Sequence, residues 1–227
     1  MATTKLINIT KRLNKRKIKH EHSEPYVFFG VDPSVSNTAI CAVAIYKKNR
    51  VMVAYKEFAY KSEFGKKAAY TTESVNRVVR ARHMGKLIVG FMDNIRRRIT
   101  DGLYDGEMAS VMVTLEGYSF GSRGKVAHLG EYGGILRLCI MQWLNKMRCN
   151  TTTAEIAPTS IKKMIYGNGR ADKKIMAPAV FKALVGVGVN DDVGDAFAAA
   201  IYPIVNMKYW KGYHEWLDKH TSKGSLV

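Results

Sequence analysis

An α/β domain built on a mixed sheet is the fold class this sequence predicts. Three observations carry it: three strand-like runs in succession, a long amphipathic stretch after them, and strands alternating with helices from there on. The chain has 227 residues, 47% of them hydrophobic, enough for one substantial core. One domain over residues 25–205 is therefore expected, between a basic arm (1–24) and an aromatic, basic tail (206–227).

The arm carries Lys5, Lys11, Arg12, Lys15, Arg16, Lys17 and Lys19 with few large apolar residues, too little to order itself by burial. Tyr26 to Val31 is a short aromatic and β-branched run, which predicts a buried strand ending at Asp32. Thr38–Tyr46 and Val51–Phe58 predict two more strands, with the polar Lys47-Lys48-Asn49-Arg50 as a hairpin turn between them. From Thr72 to Ile99, Val75, Val78, Val79, Met84, Leu87, Ile88, Phe91 and Ile95 recur largely at three- and four-residue spacings, a helical pattern.

Val111 to Leu115 predicts a fourth strand, delivering Glu116 into a Gly- and Ser-rich loop. A helix over about 125–146 follows, then a strand at Thr151–Ile156, then a helix opened by Pro158 and broken at Gly167-Asn168-Gly169. Helix resumes over 172–186, and Asp191 opens a last core helix to about Val205. The tail holds Tyr209, Trp210, Tyr213 and Trp216.

Lysine and arginine number 36 against 19 acidic residues, a formal charge of +17, so a polyanion is the natural partner and nucleic acid leads the candidates. Cys41, Cys139 and Cys149 are widely spaced and form no CxxC or Cys/His cluster of the kind zinc needs, which predicts reduced thiols. No run of 18 apolar residues appears, and the basic N-terminus lacks the apolar run of a secretory signal. A cytoplasmic protein with no membrane contact and no small-molecule substrate is the expectation.

Within this basic chain, four acidic residues stand out by position. Asp32 and Glu116 each end an apolar strand run, where a carboxylate sits at the rim of a sheet. Asp192 and Asp195, three residues apart near a helix start, point to one face beside the helix dipole. Asp191 or Asp192 could instead be a helix cap, and whether Asp191 joins the site is left open. A cap does not account for Asp195, which directly precedes the apolar run Ala196 to Ile201. Four carboxylates gathered together repel unless cations lie between them, and hard oxygen ligands suit Mg²⁺, with Mn²⁺ able to substitute. Two such ions can activate a water and stabilise the leaving oxygen of a phosphodiester.

In order along the chain, Gly30-Val31-Asp32-Pro33-Ser34, Leu115-Glu116-Gly117 and Asp192-Val193-Gly194-Asp195-Ala196 resemble the acidic motifs of the RuvC-type Holliday-junction resolvases. Leu129 to Gly134 is similar to that family's helix after the second acidic residue. Ala157 to Lys163, followed by Gly167 to Lys173, looks especially like its phage-encoded branch. The resemblance spans about residues 26–205.

It implies a ribonuclease-H-like fold with helices on both faces of the sheet, and a homodimer that nicks branched DNA symmetrically with two ions per active site. By position it makes Asp32, Glu116, Asp192 and Asp195 the metal ligands, and Lys162 and Lys173 the lysines near the scissile phosphate. Tyr118 and Phe120, after Glu116, become candidates to stack on bases at the junction, flanking Ser119 where the cellular enzymes carry an aromatic. Arg123, Lys125, Lys163 and Arg170 are the further candidate DNA contacts. The alternatives are a broader branched-DNA or flap nuclease that processes phage genomes, and a non-catalytic junction-binding protein. Four anionic groups facing phosphate would serve a mere binder poorly.

Overall fold

The computed structural model of the chain describes residues 6–12, 26–46, 50–59, 73–101, 109–117, 126–147, 149–167, 173–207, 209–210 and 212–221. A six-stranded sheet runs in the order β1-β4-β3-β2-β5-β6. Its strands are β1 (Ile7–Asn8), β2 (Tyr26–Asp32), β3 (Asn37–Tyr46), β4 (Arg50–Ala59), β5 (Ser110–Glu116) and β6 (Thr151–Ile156). The first three core strands are antiparallel, β2 pairs β5 in parallel, and β5 pairs β6 in parallel. This is the expected mixed sheet. Arg50, expected in the turn, instead pairs with Tyr46 as the first residue of β4, and residues 47–49 lie outside the described residues.

Six helices are described: α1 (Glu73–Asp101), α2 (Val126–Leu144), α3 (Pro158–Tyr166), α4 (Lys173–Val185), α5 (Asp191–Asn206) and α6 (Tyr213–Thr221). Strand β2 explains how they divide, because it is buried on both sides and its side chains alternate. Val27, Phe29 and Val31 enter one core with Met84, Ile88, Met92 and Ile95 of α1 and Leu136, Ile140 and Trp143 of α2. Phe28 enters the other, with residues of α3, α4, α5 and α6. Helices thus cover both faces.

The two cores are closed by different means. On the α1/α2 face large side chains fill the space, and Phe29 meets Trp143 edge-on at 6.2 Å between ring centroids. On the other face α5 lies almost against the sheet. A Cβ placed on Gly30 would stand 2.0 Å from the Ala196 carbonyl oxygen and 2.2 Å from the Ala200 amide nitrogen, so only glycine fits. The helix residues over it, Ala196, Ala199 and Ala200, are small and fully buried.

Parts of the expected arm and tail fall within the described residues. Residues 6–12 add to the sheet edge: Ile7 and Asn8 pair with Val53 and Met52, and Ile9 is buried. The Thr10 hydroxyl accepts a hydrogen bond from the Val51 amide at 2.9 Å. Two apolar residues and one threonine suffice here because β4 supplies a ready edge. At the other end, Trp210, Tyr213 and Leu217 are buried against the α5 core. Trp210 and Tyr213 meet edge-on at 4.8 Å, and the Tyr213 hydroxyl donates to the Ile165 carbonyl at 2.6 Å. Among the described residues, no helix is long and apolar enough to cross a membrane.

Candidate metal centre

The site is assembled by the sheet register and by the close approach of α5. Val31 of β2 and Leu115 of β5 are side-by-side partners in the parallel pair, and both point into the α1/α2 core. The next residues, Asp32 and Glu116, therefore turn to the opposite face, at the carboxyl ends of adjacent strands. Pairing continues one step past the acid, since the Gly117 amide donates to the Ile156 carbonyl at 2.8 Å. Helix α5, seated on Gly30, carries Asp195 immediately before Ala196.

Asp32, Glu116 and Asp195 converge, each offering a carboxylate oxygen within 4.8 Å of the other two. Asp32 is 8% exposed and Asp195 4%, with Glu116 half-buried. Two unit negative charges at 4.8 Å repel by about 3 kcal/mol at the effective dielectric constant that suits protein sites. Burying such a cluster is unfavourable unless positive charge enters it. The group could hold a metal ion, and its all-oxygen donor set suits a hard divalent cation.

Asp192 is not part of this group. It lies half-buried in the first turn of α5, three residues before Asp195. The helix cap is neither Asp191 nor Asp192, contrary to the capping alternative. Asn190 takes that position: its side-chain oxygen accepts from the Val193 amide at 3.1 Å, and its side-chain nitrogen donates to Glu57 of β4 at 2.9 Å. Asp191 and Asp192 are left in the first turn, where the positive end of the helix dipole favours negative charge.

One residue beside the cluster escaped the reading of the sequence. Tyr166, the last residue of α3, is buried, and its hydroxyl donates to Asp195 Oδ1 at 3.4 Å. Burial pushes the Tyr166 hydroxyl well above the usual phenol range, and the charge of Asp195, the neighbouring Tyr213 and the charge of Glu116 push the same way. It stays protonated and able to donate. The signal that could have found it is its place four residues after Lys162, on the same face of α3.

Lys162 is half-buried and Lys163 exposed on α3. Lys173 begins α4, but its side chain is outside the described set, as are Tyr118, Phe120, Arg123, Lys125 and Arg170. On the other side of the cluster, the turn after Asp32 is tied down from two elements. The Thr38 hydroxyl hydrogen-bonds the Ser34 carbonyl at 2.8 Å and the Tyr132 hydroxyl of α2 at 2.6 Å.

Solved structures resemble this chain in fold. Thermus thermophilus RuvC superposes with a TM-score of 0.53 at 14% identity, over 80% of this chain and 96% of that one. The same protein in complex with a Holliday-junction substrate gives 0.51 at 12%, with the same coverage. The yeast mitochondrial Holliday junction resolvase gives 0.49 at 10%, over 94% of this chain and 89% of that one. No family model matches the sequence, and no curated protein matches it. At such identities the likeness defines the fold, and the fold is RuvC-like and ribonuclease-H-like.

Proposed function

We propose that this chain is a metal-dependent endonuclease that resolves four-way DNA junctions. The observation that carries the reading is the buried acidic cluster of Asp32, Glu116 and Asp195, placed at the carboxyl ends of two parallel strands in a RuvC-like fold. A net charge of +17 supports a phosphate-rich substrate, and the similar T. thermophilus RuvC is known in complex with a Holliday junction.

In this reading Asp32, Glu116, Asp192 and Asp195 would hold two divalent ions, Mg²⁺ or Mn²⁺. A divalent ion held there would supply a water activated at neutral pH and offset charge at the scissile phosphate. The protein's own part is to orient and to exclude. Lys162 and Lys173 hold a phosphate oxygen, while Arg123, Lys125, Lys163 and Arg170 contact the DNA around it. Tyr118 and Phe120 stack on bases opened at the crossover. Two copies of the chain present two such sites to one junction, giving paired nicks. The motif from Ala157 to Lys173 supports a place in the phage-encoded branch.

The test is cleavage of four-way junction, Y-junction and duplex DNA with and without Mg²⁺. The proposal expects Mg²⁺-dependent paired nicks at symmetry-related positions of the four-way junction. Equal cutting of all branched substrates would favour the broader flap nuclease, and junction binding without cutting in any divalent metal would favour the non-catalytic binder.

A further inference from the structure

We propose that Tyr166 is a positioning residue of the metal centre, whose hydroxyl fixes the orientation of the Asp195 carboxylate. The proposal rests on the metal-binding reading above and adds to it a residue outside the acidic motifs. Tyr166 is 5% exposed, so its hydroxyl is out of water and needs an acceptor, and Asp195 Oδ1 stands 3.4 Å away. A carboxylate is planar: holding one oxygen sets the plane of the group and therefore aims the other. Asp195 is itself only 4% exposed, which leaves its side chain little freedom beyond that rotation.

The backbone that carries the ring is held at two points. Helix α3 ends directly after it at Gly167, whose φ of 75° is the left-handed turn that stops a helix. One residue before it, the Ile165 carbonyl accepts the hydrogen bond of the fully buried Tyr213 from α6. The C-terminal helix thus braces the turn of α3 that presents Tyr166 to the cluster. If the ring served packing alone, phenylalanine would do as well, and the hydroxyl would be a buried polar group with no purpose. Partners that orient a metal ligand in this way are usually worth about 10- to 100-fold in metal affinity.

The experiment compares Mn²⁺ binding by calorimetry for the full-length wild type, Tyr166→Phe and Asp195→Asn, with unfolding midpoints measured without metal. The expected result is that Tyr166→Phe binds Mn²⁺ about 10-fold or more weakly while its metal-free midpoint changes little. Wild-type affinity in Tyr166→Phe overturns the proposal. If the wild type binds no Mn²⁺, the metal-binding reading falls and this inference falls with it. If the wild type binds but Asp195→Asn binds equally well, metal binding stands, Asp195 is not one of its ligands, and this inference is overturned.

Should Tyr166→Phe fail to fold, a single 3-fluorotyrosine placed at position 166 keeps the hydroxyl and reports on it. Its ¹⁹F resonance should move on Mg²⁺ addition and saturate with the Mg²⁺ affinity measured by calorimetry. A resonance that stays fixed at saturating Mg²⁺ overturns the proposal.

Discussion

The two faces of β2 are closed by opposite strategies, and only one of them builds chemistry. Towards α1 and α2, Phe29 and Val31 meet bulky partners such as Met84, Ile88 and Trp143, and the gap between sheet and helices is filled by side chains. Towards α5, Gly30 removes the side chain altogether, so helix backbone nearly touches strand backbone. The first arrangement tolerates small volume changes, because neighbouring side chains can relax. The second does not, since backbone cannot be repacked. That rigidity is what brings Asp195 to within reach of Asp32 and Glu116. Site geometry here is an outcome of packing.

The largest effect should follow from breaking the close face. In Gly30→Ala the new methyl would meet Ala196 and Ala200 backbone at 2.0 and 2.2 Å, so α5 must lift by about an ångström or the chain must unfold. A stability loss of about 3 kcal/mol or more is expected in urea titration, and whatever folds should lose most of its Mn²⁺ affinity. Ile88→Val on the opposite face removes one fully buried methylene from α1. It should lose about 1 kcal/mol and leave Mn²⁺ affinity unchanged. Equal loss of metal binding in both variants would mean that the faces do not differ in the way described.

Next in size is the removal of one charge from the cluster. Asp32→Asn and Glu116→Gln are near-isosteric, so the fold should persist and the metal-free protein should be as stable as wild type or more so, because a repulsion is relieved. Saturating metal should stabilise the wild type by about 2.7 kcal/mol at 100 times its dissociation constant, and stabilise neither variant. Junction cleavage should vanish in both while junction binding persists. Thermal unfolding with and without Mn²⁺, together with the cleavage assay, checks all of this. A metal-dependent rise in midpoint retained by Asp32→Asn would remove Asp32 from the site.

How much of this was legible in the sequence follows from which forces set each feature. The strands and core helices could be read because apolar period and breaker residues are local: Asp32 and Glu116 fall at strand ends, and Gly167 does stop α3. Asp195 could be singled out because an acid beside Ala196 to Ile201 is out of place on a buried face. Tyr166 was not legible, since its meeting with Asp195 depends on how α3 packs on α5, and a tyrosine before a glycine reads as one more apolar position. The short elements near the chain ends were not legible for a related reason. β1 is two residues long and α6 nine, too short to signal or stand alone, and both exist through contacts with distant elements. The cap alternative named Asp191 or Asp192 and missed Asn190, because all three are good capping residues and only the side-chain geometry separates them.

The smallest effect concerns that cap, and it asks which contact places Asp195. Asn190 both closes the first turn of α5 through Val193 and ties the helix to β4 through Glu57, so on its face it is a rival to Gly30 as the positioning device. The Glu57 contact, however, is solvent-exposed, and Asp195 lies a full turn further in, where α5 is buried on the sheet. Asn190→Ala should therefore fray residues 191–193 and lower stability by about 1 kcal/mol, leaving Asp195 in place. Asn190→Ser keeps a capping oxygen but cannot reach out as a donor in the same way, so it should recover most of the loss. Urea titration of the two variants measures the cap, and Mn²⁺ calorimetry measures the site. Affinity near wild type in both, with Gly30→Ala strongly impaired, would assign the placement of Asp195 to the close face of β2. A fall in Asn190→Ala as large as that in Gly30→Ala would assign it to the helix cap instead.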